Sequence, residues 1–423
     1  MSQPIVKKFL GTAGVQILGR GLTVILGIVL ARTLGPEEFG RYSFILSLIA
    51  IAVIPTIAGM PQLLVREIAN AQLDKRWGEL KGILNWAMGY IVAVSFVVML
   101  LLALAIEVKW IRPDIGNLLW VGLILIPIRG VLARQNALLN GLRFPVLAQL
   151  PQGVLTSFFV LVLVGFILLL GFRVDAYFLL QIQIIASLIG LIISAYFVSS
   201  KKPKEIKSIT AEYNIKQWHK TLLPFTLLAV ISTMNNELAS VFLGFLADEE
   251  SVAYFKVAMQ GVTLLALGLA AINTVIAPQI SRYYRQGDMV ATQELLTKSV
   301  RLSALTSLPF ALLLIFCSKW IVTLLFGVKY LAAAPIITIL CIGQVVNVLM
   351  GSVGLVLQMT GNEKKALKAL SITMIMTVGL LLILVPLYQA VGAAISVTIS
   401  MIFWNILMFF DVKRNTGLIT IFK

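Results

Sequence analysis

Two charged side chains stand deep in stretches that are otherwise apolar. Arg20 follows Lys8 by twelve positions, about 18 Å along a helix that rises 1.5 Å per residue. Glu237 interrupts a second apolar run together with Asn235 and Asn236. A fixed guanidinium binds phosphate or carboxylate oxygens through charge-assisted hydrogen bonds. A carboxylate held away from bulk water can take up a proton or hold a sodium ion. Anion binding and ion coupling are therefore the chemistries on offer.

Helical spacing gives each group its companions. Thr12, Gln16, Arg20, Thr23 and Gly27 fall at i, i+4, i+8, i+11 and i+15, a single polar stripe. Such a stripe lines a water-filled cleft or forms a hydrogen-bonded seam with another helix. Ser232, Asn236 and Ser240 share a face around Glu237. With Asn235 and Asn236, Glu237 is a candidate coupling site for H+ or Na+; equally it is a candidate ion-pair partner for Arg20 or Lys256. Lys256, Gln260 and Thr263 share a face at i, i+4 and i+7. Arg41 lies within one helical turn of Glu37 and Glu38, which makes it an anchor or a ligand contact. Arg129 follows Pro127, whose missing N–H kinks a helix and projects Arg129 inward, while Arg134 is expected to snorkel to the surface.

The elements that must carry these residues are membrane spans. Of 423 residues 59% are hydrophobic and 12% charged, against roughly 25% charged in soluble domains. Apolar runs of about 20 residues follow one another, each long enough to cross the hydrocarbon core. They lack the alternation of a transmembrane β-barrel, so the fold class is all-α integral membrane. Cutting at charged clusters gives spans 9–31, 42–64, 83–106, 117–138, 145–171, 176–198, 221–246, 252–277, 302–325, 331–358, 366–387 and 390–410. The apolar stretch after Lys7 and Lys8 reads as a retained first helix. Cys317 and Cys341 both fall within spans and read as packing residues.

Counting residues near span ends with the adjoining side, 25 of the 34 Lys and Arg share the side of the N-terminus, 8 lie opposite and Arg20 is between. The acidic residues divide 9, 8 and Glu237, so the whole +16 charge lies on one face. The positive-inside rule makes that face, with both termini, cytoplasmic. The basicity orients the chain beside anionic lipids and needs no nucleic acid. The loops on the other side are short and leave no room for a catalytic domain. The sequence contains no P-loop, and its one histidine, His219, lies at the cytoplasmic edge. No cofactor or metal is expected.

The chain repeats itself. Leu34-Gly35-Pro36-Glu37-Glu38-Phe39-Gly40-Arg41-Tyr42 returns as Leu246-Ala247-Asp248-Glu249-Glu250-Ser251-Val252-Ala253-Tyr254, and half of the chain separates the copies. Lys8 with Lys220, Leu10 with Leu222, Leu26 with Leu238 and Val29 with Val241 extend the register. Six spans per half give parallel repeats, the plan of transporters that hold substrate between two rocking lobes. The expected division is an N-terminal lobe 1–200, a cytoplasmic linker 201–218 and a C-terminal lobe 219–423.

The first span followed by Ala31-Arg32-Thr33-Leu34-Gly35-Pro36-Glu37-Glu38-Phe39-Gly40-Arg41-Tyr42 resembles the signature of polysaccharide-repeat flippases, the O-antigen and teichoic acid exporters. Their superfamily includes multidrug extruders and lipid II flippases. The resemblance implies a pair of six-helix lobes that carry an undecaprenyl- or dolichyl-diphosphate-linked oligosaccharide across the cytoplasmic membrane, with glycan-assembly proteins as partners. It also implies substrate contacts for Arg20, Arg41 and Lys256. With Arg129, Gln16 and Gln260 these complete the candidate binding set. The rival expectations are an ion-coupled extruder of organic cations, an enzyme acting on lipid-linked sugars and a non-transporting scaffold. A lone deep carboxylate argues against the first two.

Overall fold

A computed structural model of the chain describes residues 3–422 other than 58, and side chains other than those of 3–10, 13, 204, 207, 220, 221, 223, 224 and 228. The side chains of Lys7, Lys8, Lys204, Lys207 and Lys220, part of the expected basic face, therefore lie outside the described residues. Among the described residues every regular element is helical. Ten helical stretches among them are long and apolar enough to cross a membrane. Two of these, Gly14–Leu73 and Glu363–Thr416, hold 60 and 54 residues. At 1.5 Å per residue each exceeds twice the roughly 30 Å of a hydrocarbon core. Each holds a sharp non-helical reversal, at Gly35 (φ 77°, ψ 173°) and at Gln389 (φ 50°, ψ −128°). Each break turns one stretch into two crossings, which brings the total to the expected twelve.

Local chemistry sets these breaks. Gly35 alone tolerates its positive φ without a steric cost, and Pro36 restarts the helix with its fixed φ and no N–H to leave unsatisfied. In the second copy of the repeat Asp248 makes the same turn by a different device. Its carboxylate accepts from the Ser251 N–H at 2.7 Å and caps the helix Glu249–Arg285. Pro127 acts as expected. The fourth pass is divided into Pro113–Gly122 and Leu125–Gly141, with Leu123, the residue whose carbonyl the proline ring would meet, in the gap.

The chain forms two compact units. One contains residues up to Leu34 with Phe44–Glu237; the other contains Gly35–Ser43 with Leu238–Lys423. The first has a core of Met60, Leu63, Ile68, Leu80, Ile83 and Leu138, and the second one of Ile276, Ile280, Val356, Leu357 and Val412. Large apolar side chains also stand outward, among them Phe96, Phe166, Ile192 and Leu305, as lipid-facing surfaces require.

The polar segment before the helix Ile215–Leu246 is strapped to the first unit. Glu212 N–H donates to Gly78 O at 3.0 Å and Lys81 Nζ to Ile209 O at 2.7 Å, while Ile206 and Trp218 enter the core. The strap lies so close to the helix Trp77–Glu107 that a Cβ at Gly82 would stand 1.7 Å from Glu212 O. Gly82→Ala should therefore lift the strap, cost about 1–3 kcal/mol of stability and expose residues 202–214 to protease. Gly89→Ala, on the same helix with nothing within 4 Å, is the control and should leave the melting temperature and the digest unchanged.

Candidate functional site

Arg20 and Gln16, one turn apart on the helix Gln3–Ala52, are both exposed and line a concavity of about 320 Å³ in the first unit. Asn136 from Leu125–Gly141 forms one wall, and Gln149, Gln152 and Gly153 form another. Two glycines bring that second wall close: a Cβ at Gly19 would lie 2.5 Å from Gly153 O. Small residues permit this kind of backbone approach between membrane helices.

The second wall is not plain α-helix. Leu150–Leu155 forms a π-helical turn, with Thr156 N–H and Thr156 Oγ1 both directed to Pro151 O, the latter at 3.0 Å. A π turn inserts one residue into the helical ladder and re-aims the side chains around it. Gln149 and Gln152 flank and occupy that turn, and both reach the concavity.

Polar groups around the concavity differ in how they are satisfied. Thr23 donates to its own helix at Gly19 O (2.9 Å). Asn136 is wired in place: its Nδ2 donates to Ala148 O at 2.9 Å and its Oδ1 accepts from Asn140 at 2.6 Å. Gln149 Oε1 is buried with no partner among the described residues. Among the same residues Arg20 makes no hydrogen bond or ion pair, and no carboxylate lines the wall. A guanidinium beside amides has the chemistry to hold an anionic or hydrogen-bonding group.

The other candidates occupy different places. Arg129 is half-buried on the helix that supplies Asn136, away from the concavity wall. Arg134 does not snorkel as expected. Its Nε and Nη2 both donate to Leu84 O, at 3.2 and 3.0 Å, because that carbonyl offers a nearer partner than the surface. Glu237 accepts from Ser47 Oγ at 2.7 Å; Asn235 beside it is half-buried and Asn236 exposed. In the second unit Arg41 is clasped by Glu37 (2.7 Å) and Glu38 (3.0 Å). Lys256 and Gln260 are half-buried in that unit, and Gln260 Oε1 is buried without a partner among the described residues. Cys341 is buried, whereas Cys317 is exposed at the junction of two helices.

The repeated motif meets itself in the second unit. Gly40 lies so close to Glu249 that a Cβ would stand 1.8 Å from the carbonyl oxygen. Tyr330 is buried between the copies, with its ring edge-on to Phe39 (6.4 Å) and to Tyr254 (6.1 Å). Sequence reasoning missed Tyr330 because nothing in its own segment marks it. Gln149, Gln152 and Asn136 were missed too: Gln149 and Gln152 share one segment and Asn136 stands on another, and no sequence signal pairs those segments with each other or with the first helix.

Among the described residues, ten long apolar helical stretches, two of them reversing to make twelve passes, define a multi-pass, all-helical membrane fold. Solved structures agree on that fold. The lipid II flippase MurJ in an inward closed conformation matches with a TM-score of 0.76 at 16% identity, covering 95% of this chain and 87% of that one. A multidrug resistance MATE family transporter in an inward-facing conformation matches at 0.78 and 16% identity, covering 96% and 99%. Residues 5–284 match the family described as polysaccharide biosynthesis protein, and the chain belongs to that family. Teichuronic acid biosynthesis protein TuaB of Bacillus subtilis is 28% identical over 190 residues, which span 41% of this chain and only 39% of TuaB.

The Gly19–Gly153 contact separates its two residues by experiment. Gly19→Ala should push the first helix off the π turn and lower the stability of the inserted protein by about 1–3 kcal/mol, read as a fall in melting temperature. Gly153→Ala, whose added Cβ meets nothing within 4 Å, should leave the melting temperature unchanged.

Proposed function

We propose that the chain is a flippase that moves a prenyl-diphosphate-linked oligosaccharide, on an undecaprenyl or dolichyl carrier, across the cytoplasmic membrane by alternating access. The observation that carries the reading is Arg20, an exposed cation without a partner among the described residues, in a hollow whose wall holds no carboxylate. A diphosphate cannot cross hydrocarbon with its charge unanswered. Arg20 would replace part of its hydration with charge-assisted hydrogen bonds, and Gln16, Gln149 and Gln152 would contribute neutral ones. The carrier's prenyl tail need not leave the lipid. Family membership and the likeness to a protein named for teichuronic acid biosynthesis support the glycan; the likeness to a lipid II flippase supports the lipid carrier.

The basic face and both termini are cytoplasmic in this reading, so the substrate arrives from the side where the charge lies. Glu237, held by Ser47 and followed by an apolar helix, is the coupling group, taking up H+ or Na+ as the lobes change state. Arg41, Arg129, Lys256 and Gln260 are further contacts along the route, and glycan-assembly proteins supply the substrate. The chain performs no bond-breaking chemistry. Export of organic cations, as in MATE transporters, calls for an anionic hollow, and the one around Arg20 is cationic.

Translocation of a lipid-linked oligosaccharide in reconstituted vesicles tests the proposal. Arg20→Ala should lower the rate about ten- to hundredfold, the worth of one charged hydrogen-bonding group. Undiminished transport, or export of an organic cation in place of the lipid, would remove the reading. Glu237→Gln keeps the bond from Ser47 but not the titratable charge. It should abolish the response of the rate to an imposed H+ or Na+ gradient, and an unchanged response would strip Glu237 of the coupling role.

A further inference from the structure

Two further hollows of the first unit are linked to the Arg20 hollow by side chains that line both neighbours. Asn136 lines both the Arg20 hollow and a second hollow of about 360 Å³, whose other walls include Gln62, Arg66 and Asn140. Arg66 in turn lines both the second and a third hollow of about 420 Å³, with Asn70, Asn214 and Gln217. The lining follows helical periods on each side. Gln62, Arg66 and Asn70 fall at i, i+4 and i+8 and stand exposed on one face, about 12 Å of track at 1.5 Å per residue. Asn136 and Asn140, one turn apart, flank it.

The chemistry of that lining is selective. An amide carries two N–H donors and an acceptor oxygen with two lone pairs, so those of Asn136, Asn140, Asn214 and Gln217 that bond one another or the backbone keep capacity to spare for hydroxyls, which also both donate and accept. The track's formal charges are already engaged. Arg66 Nη2 lies 2.6 Å from Glu67, and Arg76 lies 2.7 Å from Glu79 and 2.9 Å from Asp74. The hydrogen bond to Glu79 and then that to Asp74 raise the Arg76 pKa and keep it charged. A polyanion would find no cation to neutralise it beyond Arg20, and a prenyl tail would find amides where it needs hydrocarbon. Between the amides stand Pro61, Val65 and Ala137, an apolar floor suited to the C–H faces of sugar rings. Packing does not require this pattern. In the register of the internal repeat, Arg20 corresponds to Ser232 and Gln16 to Leu228, so the second copy folds without it.

We infer that the track from Arg20 through Asn136 and Gln62 to Asn70 is a saccharide-binding groove, which takes a neutral, hydroxyl-rich oligosaccharide while Arg20 holds the diphosphate. The inference rests on the flippase reading and adds to it the place and the chemistry of the glycan. It makes the groove the determinant of how much sugar is held, and Arg20 the determinant of whether the lipid is held at all.

Two probes separate the claims: undecaprenyl diphosphate, and the same lipid carrying chitotetraose, each titrated onto the full-length protein in nanodiscs. The wild type should bind the glycosylated lipid more tightly than the bare one. Gln62→Leu should erase about three- to tenfold of that difference, the worth of one or two hydrogen bonds, and leave binding of the bare lipid unchanged. Asn140→Leu should erase as much and, by freeing Asn136 in the wall of the Arg20 hollow, also weaken binding of the bare lipid. Gln62 is exposed and packs no core, so its variant carries the test if Asn140→Leu, which frees Asn136, fails to fold. A sugar increment that is absent in the wild type or intact in Gln62→Leu overturns the groove. Bare lipid that binds Arg20→Ala as well as the wild type overturns the flippase reading instead.

Discussion

A charge in hydrocarbon must be answered, and the ways in which this chain answers each one sort its residues by role. Within the spans Arg134 is answered by the carbonyl of Leu84, and beyond their ends Arg41 is answered by two carboxylates of its own turn and Arg66 and Arg76 by nearby acids. Glu237 receives a hydroxyl hydrogen bond from Ser47. Arg20 stands apart, with no such answer among the described residues and a hollow in front of it. In a medium where an uncompensated ion costs several kcal/mol, that hollow has to be wet or occupied. The inventory of satisfied charges is thus what singles out one arginine.

Close backbone approaches hold that site in shape. With no hydrophobic force between helices in lipid, association relies on packing, and glycine lets backbones come near enough for dispersion to count. Three such contacts fix separate parts of the chain: Gly19 against Gly153, Gly82 against Glu212, and Gly40 against Glu249. A fourth, Gly392 against Leu384, closes the hairpin at Gln389, where a non-glycine residue carries a positive φ. The first of these sets the depth of the Arg20 hollow, since it fixes the distance between the stripe on the first helix and the π turn opposite.

Hydrophobic run length made the twelve passes legible, because the bilayer fixes how long an apolar helix must be. The stripe through Gln16 and Arg20 was legible for the same reason, a 3.6-residue period in one segment. Legibility ends where a wall is assembled across segments. Gln149 and Gln152 share a face at i and i+3, but nothing in their own segment says that this face meets the stripe of the first helix, and a π turn re-aims it. Arg134 was read as snorkelling because a helix taken alone offers it only the surface; the Leu84 carbonyl that holds it is fifty residues away in sequence. Tyr330 likewise gains its meaning from Phe39 and Tyr254, far from it in the chain.

The repeat shows how the fold and the chemistry became separable. Both copies turn the chain between two spans, one with Gly35 and Pro36, the other with the Asp248 cap, so the same backbone path is reached by unrelated means. Both copies keep the Glu-Glu pair and the tyrosine. The carboxylates serve different partners, Arg41 in the first copy and the Tyr254 hydroxyl (2.7 Å from Glu250) in the second. The span before the turn carries an arginine stripe in one half, and Asn235, Asn236 and Glu237 in the other. A duplicated scaffold tolerates this divergence because its stability resides in apolar cores and glycine contacts that do not include the polar residues. One copy of the repeat is then free to carry Arg20 in the span before its turn and the other Glu237, opposite charges at neighbouring places of one scaffold plan.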